Sequence, residues 1–212
     1  MKLFGFFRSS ASYRVRIALN MKQLPYEQAS IHLSKGQQFE AEFAALSPQR
    51  LVPVLEEGDL RLFQSLAIIE YLDEKFPHPP LLPGDAPGRQ RVRSLAQQIA
   101  CEIHPLNNVR VLNYLTNVLG VTEAEKLAWY AHWVQFGFEA LEKRLSTERQ
   151  TGRFCHGDVP GLADIALVPQ VANANRFKVD LSPYPAILAI NKACLALDAF
   201  FQAAPQNQPD AE

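Results

Sequence analysis

Cysteine is scarce and scattered: Cys101, Cys155 and Cys194 are the only three in 212 residues, with no CxxC pair and no zinc-type spacing. That excludes a disulfide framework and a cysteine-based metal set, and it points to a reducing compartment. Neither sign of charge dominates, since 21 Lys and Arg stand against 22 Asp and Glu for a formal net charge of -1. Without a basic excess or a charge run, nothing suggests a nucleic-acid partner or a charged interaction tail. No apolar run is long enough to cross a membrane. The apolar start, Met1 to Phe7, is too short for a signal peptide and is followed by Arg8, Arg14 and Arg16. Internal repeats and low-complexity cores are missing as well. These absences leave a soluble, cytoplasmic globular chain as the expectation.

What is present is an ordinary globular composition, 48% hydrophobic and 20% charged, in a chain long enough for one large domain or two modest ones. Lys2 to Phe6 reads as a strand running into a helix with Val15, Ala18 and Leu19 on one face. Leu24-Pro25-Tyr26 opens a second strand, and Lys35 to Leu46 has helical spacing that stops before Pro48. A strand through Val54, a turn at Glu56-Glu57-Gly58-Asp59 and a returning strand from Leu60 to Phe63 form a hairpin. Leu66 to Phe76 is helical again. The order βαβ, helix, ββ, helix predicts a thioredoxin-like α/β domain with a mixed sheet over residues 1–80.

Prolines at 77, 79, 80, 83 and 87 mark a boundary, with 81–87 as the linker. The remainder, 88–212, reads as an all-helical domain. One long helix is expected from Gly88 to Leu119, kinked at Pro105. A second, from Thr122 to Leu145, opens with Glu125 three residues after Thr122, as in a capping box. A short buried helix follows from Gly161 to Asn173, with Asp164 as a folding residue, and a last one from Tyr184 to Ala199. The tail, Gln202 to Glu212, is expected to fray.

The first strand-to-helix junction carries the chemistry. Arg8, Ser9 and Ser10 sit where the first N–H groups of the helix are unpaired, and such an end attracts anions through its orphan donors and its macrodipole. A serine hydroxyl there can donate to a bound thiol and favour its thiolate. Serine is also an ordinary N-cap, so both roles stand at this point.

Phe7-Arg8-Ser9-Ser10 followed by Arg14-Val15-Arg16-Ile17-Ala18-Leu19 resembles the signature of the zeta-class glutathione transferases. Gln49 to Pro53, Gln64-Ser65 and the segment Leu167 to Phe177 match as well, so the resemblance spans essentially the whole chain. It implies the glutathione transferase fold, a thioredoxin-like domain followed by an all-α one. Two positions depart: Ala11 stands where the class usually has cysteine, and Tyr13 where it has tryptophan. A protein thiol at that position is therefore not the nucleophile.

The class includes glutathione-dependent maleylacetoacetate isomerases and bacterial maleylpyruvate isomerases of aromatic catabolism. The resemblance implies glutathione as cofactor, a small dicarboxylate substrate and a homodimer. Ser9 becomes the thiol activator, with Ser10 as the alternative and Ala11 beside them. Val52, before a cis Pro53, is expected to pair with the tripeptide backbone, and Gln64-Ser65 to receive its γ-glutamyl carboxylate. Gln38 and Gln49 would hold the glycyl end, and Glu102 the amino group across the dimer. Arg8, Arg176 and Arg110 are the cationic clamps for substrate carboxylates and developing charge, because a guanidinium presents a planar fork of donors. His104 and Asn108 fall one turn apart on the glutathione side, although Arg110 also fits a solvated arginine and His104 a structural histidine. Arg14 and Arg16 read as structural, pairing with acids around the first helix. An isomerase acting on maleylpyruvate or maleylacetoacetate leads, with maleylpyruvate favoured. A conjugating transferase and a non-catalytic glutathione-binding protein remain as alternatives.

Overall fold

The computed structural model describes residues 1–212 as two compact units, Met1–Pro80 with Ala196–Glu212, and Leu81–Leu195. The first is built on a mixed sheet. Strand β1 (Lys2–Gly5) leads through helix α1 (Ser10–Met21) to β2 (Glu27–Ser30), which pairs parallel to β1 with Leu3 opposite Gln28. After α2 (Ala41–Leu46), β3 (Val54–Glu57) and β4 (Leu60–Phe63) form an antiparallel hairpin that feeds α3 (Ser65–Lys75). Gly58 turns that hairpin at φ 57°, a left-handed value that glycine adopts without a Cβ clash. Strand β3 also pairs antiparallel with β1, so the order across the sheet is β2-β1-β3-β4. This is the thioredoxin-like arrangement that the alternation of elements predicts.

Leu3, Val54 and Leu55 from the sheet are fully buried, together with Val15, Ala18 and Leu19 of α1 and Ile68, Ile69 and Leu72 of α3. Phe6, Phe7, Phe43, Val52 and Val54 form a second cluster, with Phe4, Ile31, Leu33 and Leu46 packed against it. Arg16 lies as deep as these apolar side chains. Its Nε donates to the Ala203 carbonyl at 2.9 Å, and Nη1 and Nη2 donate to the carbonyls of Phe6 (3.4 Å) and Phe7 (3.0 Å). Burial pulls its pKa down to about 10, which leaves it charged near neutral pH. The expectation that Arg16 pairs with acids is thus corrected: a guanidinium inside a helix face reaches main-chain oxygens first, and Asp210 acts on it only through space.

In the second unit, Asp85 caps α4 (Ala86–Gln97) by accepting from the Gly88 N–H at 2.8 Å. A π-helical stretch over Gln98–Ile103 and a 3-10 turn over Pro105–Asn107 follow, and the helix restarts as α5 (Val109–Asn117). The single kinked helix expected over 88–119 is therefore broken. Pro105 has no N–H to give to the preceding turn, and Asn108 begins afresh as a cap, its Oδ1 accepting from Arg110 N at 3.1 Å. Helix α6 (Glu123–Thr147) opens on the reciprocal box read from sequence: Glu125 N donates to Thr122 Oγ1 (3.2 Å), and Thr122 N to Glu125 Oε2 (2.7 Å). Helix α7 (Leu162–Arg176) is buried along Leu162 to Val171, and α8 (Pro185–Leu195) completes the unit.

Asp164 on α7 is a folding residue. Its two oxygens accept from Cys155 N (2.8 Å) and Gly161 N (2.9 Å), tying the preceding loop to the helix start. Gly161 is required there by space, since a Cβ would stand 2.7 Å from the Leu81 carbonyl that accepts from Leu162 N. Leu81 accordingly belongs to the body of this unit, not to a linker.

The chain's last stretch joins the first unit. Helix α9 (Asp198–Ala203) lies along α1, where Tyr13 Oη donates to Phe200 O (3.1 Å) and Asn20 Nδ2 to Ala199 O (3.1 Å). Beyond it, Asp210 accepts from Phe7 N (3.1 Å) and Ser30 Oγ (2.7 Å), while Glu212 meets His32 and Lys35. Two expectations change as a result. The helical unit stops at Leu195 instead of running to 212, and the polar tail is fastened by its carboxylates instead of fraying.

Candidate active site

Between β1 and α1 the chain makes one tight turn, closed by Ser9 N donating to Phe6 O at 2.9 Å. Ser9 is the N-cap, extended at φ -69° and ψ 115°, and its Oγ accepts from Ser12 N at 3.2 Å. A hydroxyl has two acceptor lone pairs and one proton, so accepting that bond leaves the proton to donate elsewhere. Capping and thiol activation therefore do not compete. Ser10 is the first residue of α1 and only 4% exposed, while Ser9 and Ala11 are half-buried. Arg8 is exposed, with its guanidinium 4.7 Å over the centroid of the Phe7 ring.

Three other predicted residues of this unit, Gln49, Gln64 and Ser65, meet at the start of α3. Gln64 is its N-cap in a left-handed conformation (φ 66°), a geometry that in a non-glycine residue stores about 1–3 kcal/mol and is found where surroundings over-determine it. Its Nε2 donates to Gln49 Oε1 at 3.0 Å, so two residues 15 apart in sequence meet as a pair. Ser65, nearly buried, accepts from Arg14 Nη1 at 3.3 Å. Arg14 is the residue that sequence reasoning assigned to structure alone. Its helical position, one turn past Ser10, was the signal that could have placed it beside the helix start.

Val52 precedes a cis Pro53, as expected, and stands two residues ahead of the first laddered residue of β3, Val54. Ser47 braces the approach by donating to Leu51 O (3.1 Å) and accepting from Leu51 N (3.3 Å). Gln38 is 8% exposed, and its Oε1 has no hydrogen-bond partner within the chain. A buried amide oxygen without a donor is a place where a ligand N–H fits.

The residues predicted on the second unit fall in three places. Asn108 Nδ2 and His104 Nε2 lie 3.4 Å apart, and the exposed Arg110 follows them on α5. Arg176 closes α7, exposed, with its guanidinium 4.7 Å over the Phe177 ring. Phe177 in turn stacks on Tyr130 at 3.9 Å, and burial pushes the Tyr130 phenol well up. Glu102 is exposed at the end of a groove of about 640 Å³ that also involves Arg89, Arg93 and Cys101.

A thioredoxin-like sheet whose first helix opens on a capping serine, with a cis-proline loop and a glutamine–serine helix start, defines a glutathione transferase. Residues 1–74 match the family described as glutathione S-transferase, N-terminal domain. The chain is 53% identical to the maleylpyruvate isomerase of a Ralstonia species, covering 100% of both chains. It is 54% identical to a probable maleylacetoacetate isomerase of Vibrio cholerae, over 99% of this chain and 97% of that one. A solved maleylacetoacetate isomerase from Methylobacterium extorquens AM1, with malonate and glutathione bound, superposes at a TM-score of 0.98 and 42% identity over 100% of both chains. The chain belongs to the zeta-class glutathione transferases, among the maleylpyruvate and maleylacetoacetate isomerases.

Proposed function

We propose that this protein isomerises a cis maleyl diketo acid to its trans, fumaryl isomer with glutathione as a recycled cofactor. The observation that carries the reading is the Ser9 hydroxyl: it caps α1 through one lone pair and keeps its proton for a sulfur at a helix start. Glutathione, when bound, would supply a thiolate that can bond to one carbon of the conjugated double bond, making it a single bond free to rotate while the electron pair moves to the ketone oxygen, and that leaves with the C–S pair as the trans double bond re-forms.

The rest is work for the chain's own side chains. Ser9 donates to the sulfur and, with the N-terminal dipole of α1, lowers the thiol pKa from its usual value of about 8.5. Ser10, buried in the first turn, is the alternative donor to that sulfur. Gln64, Ser65 and the orphan N–H groups of α3 receive the γ-glutamyl carboxylate, and Arg14 orients the Ser65 hydroxyl. The Val52 backbone holds the tripeptide in extended form, while Gln49 and Gln38 hold its glycyl end. Arg8 and Arg176 clamp substrate carboxylates and stabilise negative charge as it develops on the ketone oxygen; Arg110 assists. Asn108 and His104 complete the cofactor side, and in a homodimer Glu102 meets the glutathione amino group of the neighbouring site.

Maleylpyruvate is the favoured substrate and aromatic catabolism the setting, with the cytoplasm as the location that three unpaired cysteines suit. The experiment is proton NMR of both cis substrates with catalytic and with no glutathione. Trans product over many turnovers per glutathione, faster from maleylpyruvate, is the expected result. Consumption of glutathione into a stable adduct would replace the isomerase by a conjugating transferase.

A further inference from the structure

The turn that presents Arg8 and Ser9 is held from both sides by the far end of the chain. Beyond the Ser9-to-Phe6 bond, its inward polar groups are the carbonyls of Phe6 and Phe7 and the N–H of Phe7. Arg16 takes both carbonyls, and is itself anchored by Nε on Ala203 O. The Phe7 N–H goes to Asp210 Oδ2 at 3.1 Å. The same carboxylate accepts from two side chains of β2, Ser30 Oγ at 2.7 Å and Gln28 Nε2 at 3.3 Å. It thus ties the turn to the edge strand of the sheet.

Asp210 is fixed in its own right. Gln208, 8% exposed, folds the tail back by donating from Nε2 to Gln202 O (2.8 Å) and Ala204 O (2.9 Å), and Ala211 N donates to Gln208 O (3.0 Å). Of the charged and titratable groups around the turn, Arg16 faces Asp210, Tyr26 and Tyr13 face Arg16, and His32 and Lys35 face Glu212.

We propose that Asp210 is a positioning residue for the reaction, holding the Phe7 N–H so that the Ser9 hydroxyl is aimed at the glutathione sulfur. The proposal rests on the reading of Ser9 as the thiol activator. Asp210 touches neither cofactor nor substrate. It acts through the main chain of a turn whose two phenylalanine side chains are buried and whose hydroxyl must meet sulfur at hydrogen-bond distance and angle.

The test uses the full chain with Asp210→Ala, Asp210→Asn, Glu212→Gln and Ser9→Ala. Two readouts are followed against pH: ultraviolet absorbance of the bound glutathione thiolate, and kcat/KM for isomerisation. Asp210→Ala is expected to move both titrations to higher pH by about half a pH unit, roughly a threefold loss of rate on the acid limb that recovers above it. Asp210→Asn keeps one oxygen for the Phe7 N–H and Ser30 Oγ, which share Oδ2, and sets its amide against Gln28, whose side chain can turn its own oxygen to accept, so it titrates as the native protein does; Glu212→Gln does the same. The proposal is overturned if folded Asp210→Ala titrates like the native protein, if its loss is equal at every pH, or if Asp210→Asn shifts as far as Asp210→Ala. Should Asp210→Ala fail to fold, Ser30→Ala, which removes one donor to the carboxylate, decides the matter by a smaller shift in the same direction or by none. Ser9→Ala separates the two readings. If it leaves the thiolate titration unmoved, Ser9 is not the activator; a shift in Asp210→Ala then still makes Asp210 the positioner of the turn's donors, and no shift overturns it.

Discussion

Ser9 uses one oxygen for two purposes, and the two separate on mutation. Replacing it with alanine removes an N-cap, which destabilises a helix by about 1 kcal/mol. The same change removes the donor to sulfur, for which a loss of roughly 10²-fold in kcat/KM is expected, by analogy with deletion of a single preorganised donor at a reacting anion. A Ser9→Ala protein that melts only slightly early but isomerises at that reduced rate meets both expectations. At this scale the local setting of much of the candidate site was legible. Ser9, Ser10, Gln49, Gln64 and Ser65 could be read because each sits at a helix start or beside a proline turn, where local chemistry has a local signature. Gln38 was harder, since an amide on a helical segment reads as surface, whereas the structure buries it with an unpartnered oxygen. Arg16 was misread for a physical reason: nothing in its neighbours tells that three carbonyls, one of them 187 residues away, will surround it.

Among the elements, α7 depends on the Asp164 carboxylate at its start. Asp164→Ala would leave the buried N–H of Cys155 and the partly buried N–H of Gly161 without acceptors, at about 1–3 kcal/mol for the first and less for the second. Urea unfolding should show a lowered midpoint at unchanged slope, with glutathione affinity retained by protein that stays folded. A second element-level prediction concerns acid. Arg144 first, then Arg91, hold the Glu148 carboxyl below its ordinary 4.5, through bonds of 2.8 and 2.5 Å. A carboxyl depressed in the folded state contributes stability above its unfolded pKa and loses it as pH falls through the folded value. The melting temperature should therefore drop below about pH 4.5 less steeply in Glu148→Gln than in the native chain. The capping box of α6 was visible in sequence because it is written within four residues. The break between α4 and α5 was only half visible. Pro105 announces a disturbance, but the π-helical stretch before it and the restart at Asn108 depend on how the neighbouring helices pack.

For the molecule as a whole, the thioredoxin-like order and the helical unit could be read from periodicity and from the prolines at 77–87. The membership of Ala196–Glu212 could not. In sequence the stretch reads as the end of a helix, to Ala199, and a polar tail from Gln202, and the bonds that fasten it span about two hundred residues, such as the 203 between Phe7 and Asp210. A fragment Met1–Pro80 should accordingly remain poorly folded alone, because the face of α1 that meets Phe200, Ala199 and Ala203 is then bare. Adding a peptide of residues 196–212 should restore ordered amide signals in its NMR spectrum. Order from the fragment alone would show that α9 is dispensable to the sheet.

That closing of end upon beginning has a consequence for synthesis on the ribosome. The sheet-forming residues emerge first, but the helix that covers α1 is more than a hundred residues behind them, with the entire second unit in between. At about 5–20 residues per second, the nascent first unit waits on the order of ten seconds before α9 reaches it. During that interval the helical unit, contiguous in sequence, can fold first. The first unit is then finished after the helical one, and the turn bearing Ser9 is set in place only once residues 196–212 have emerged.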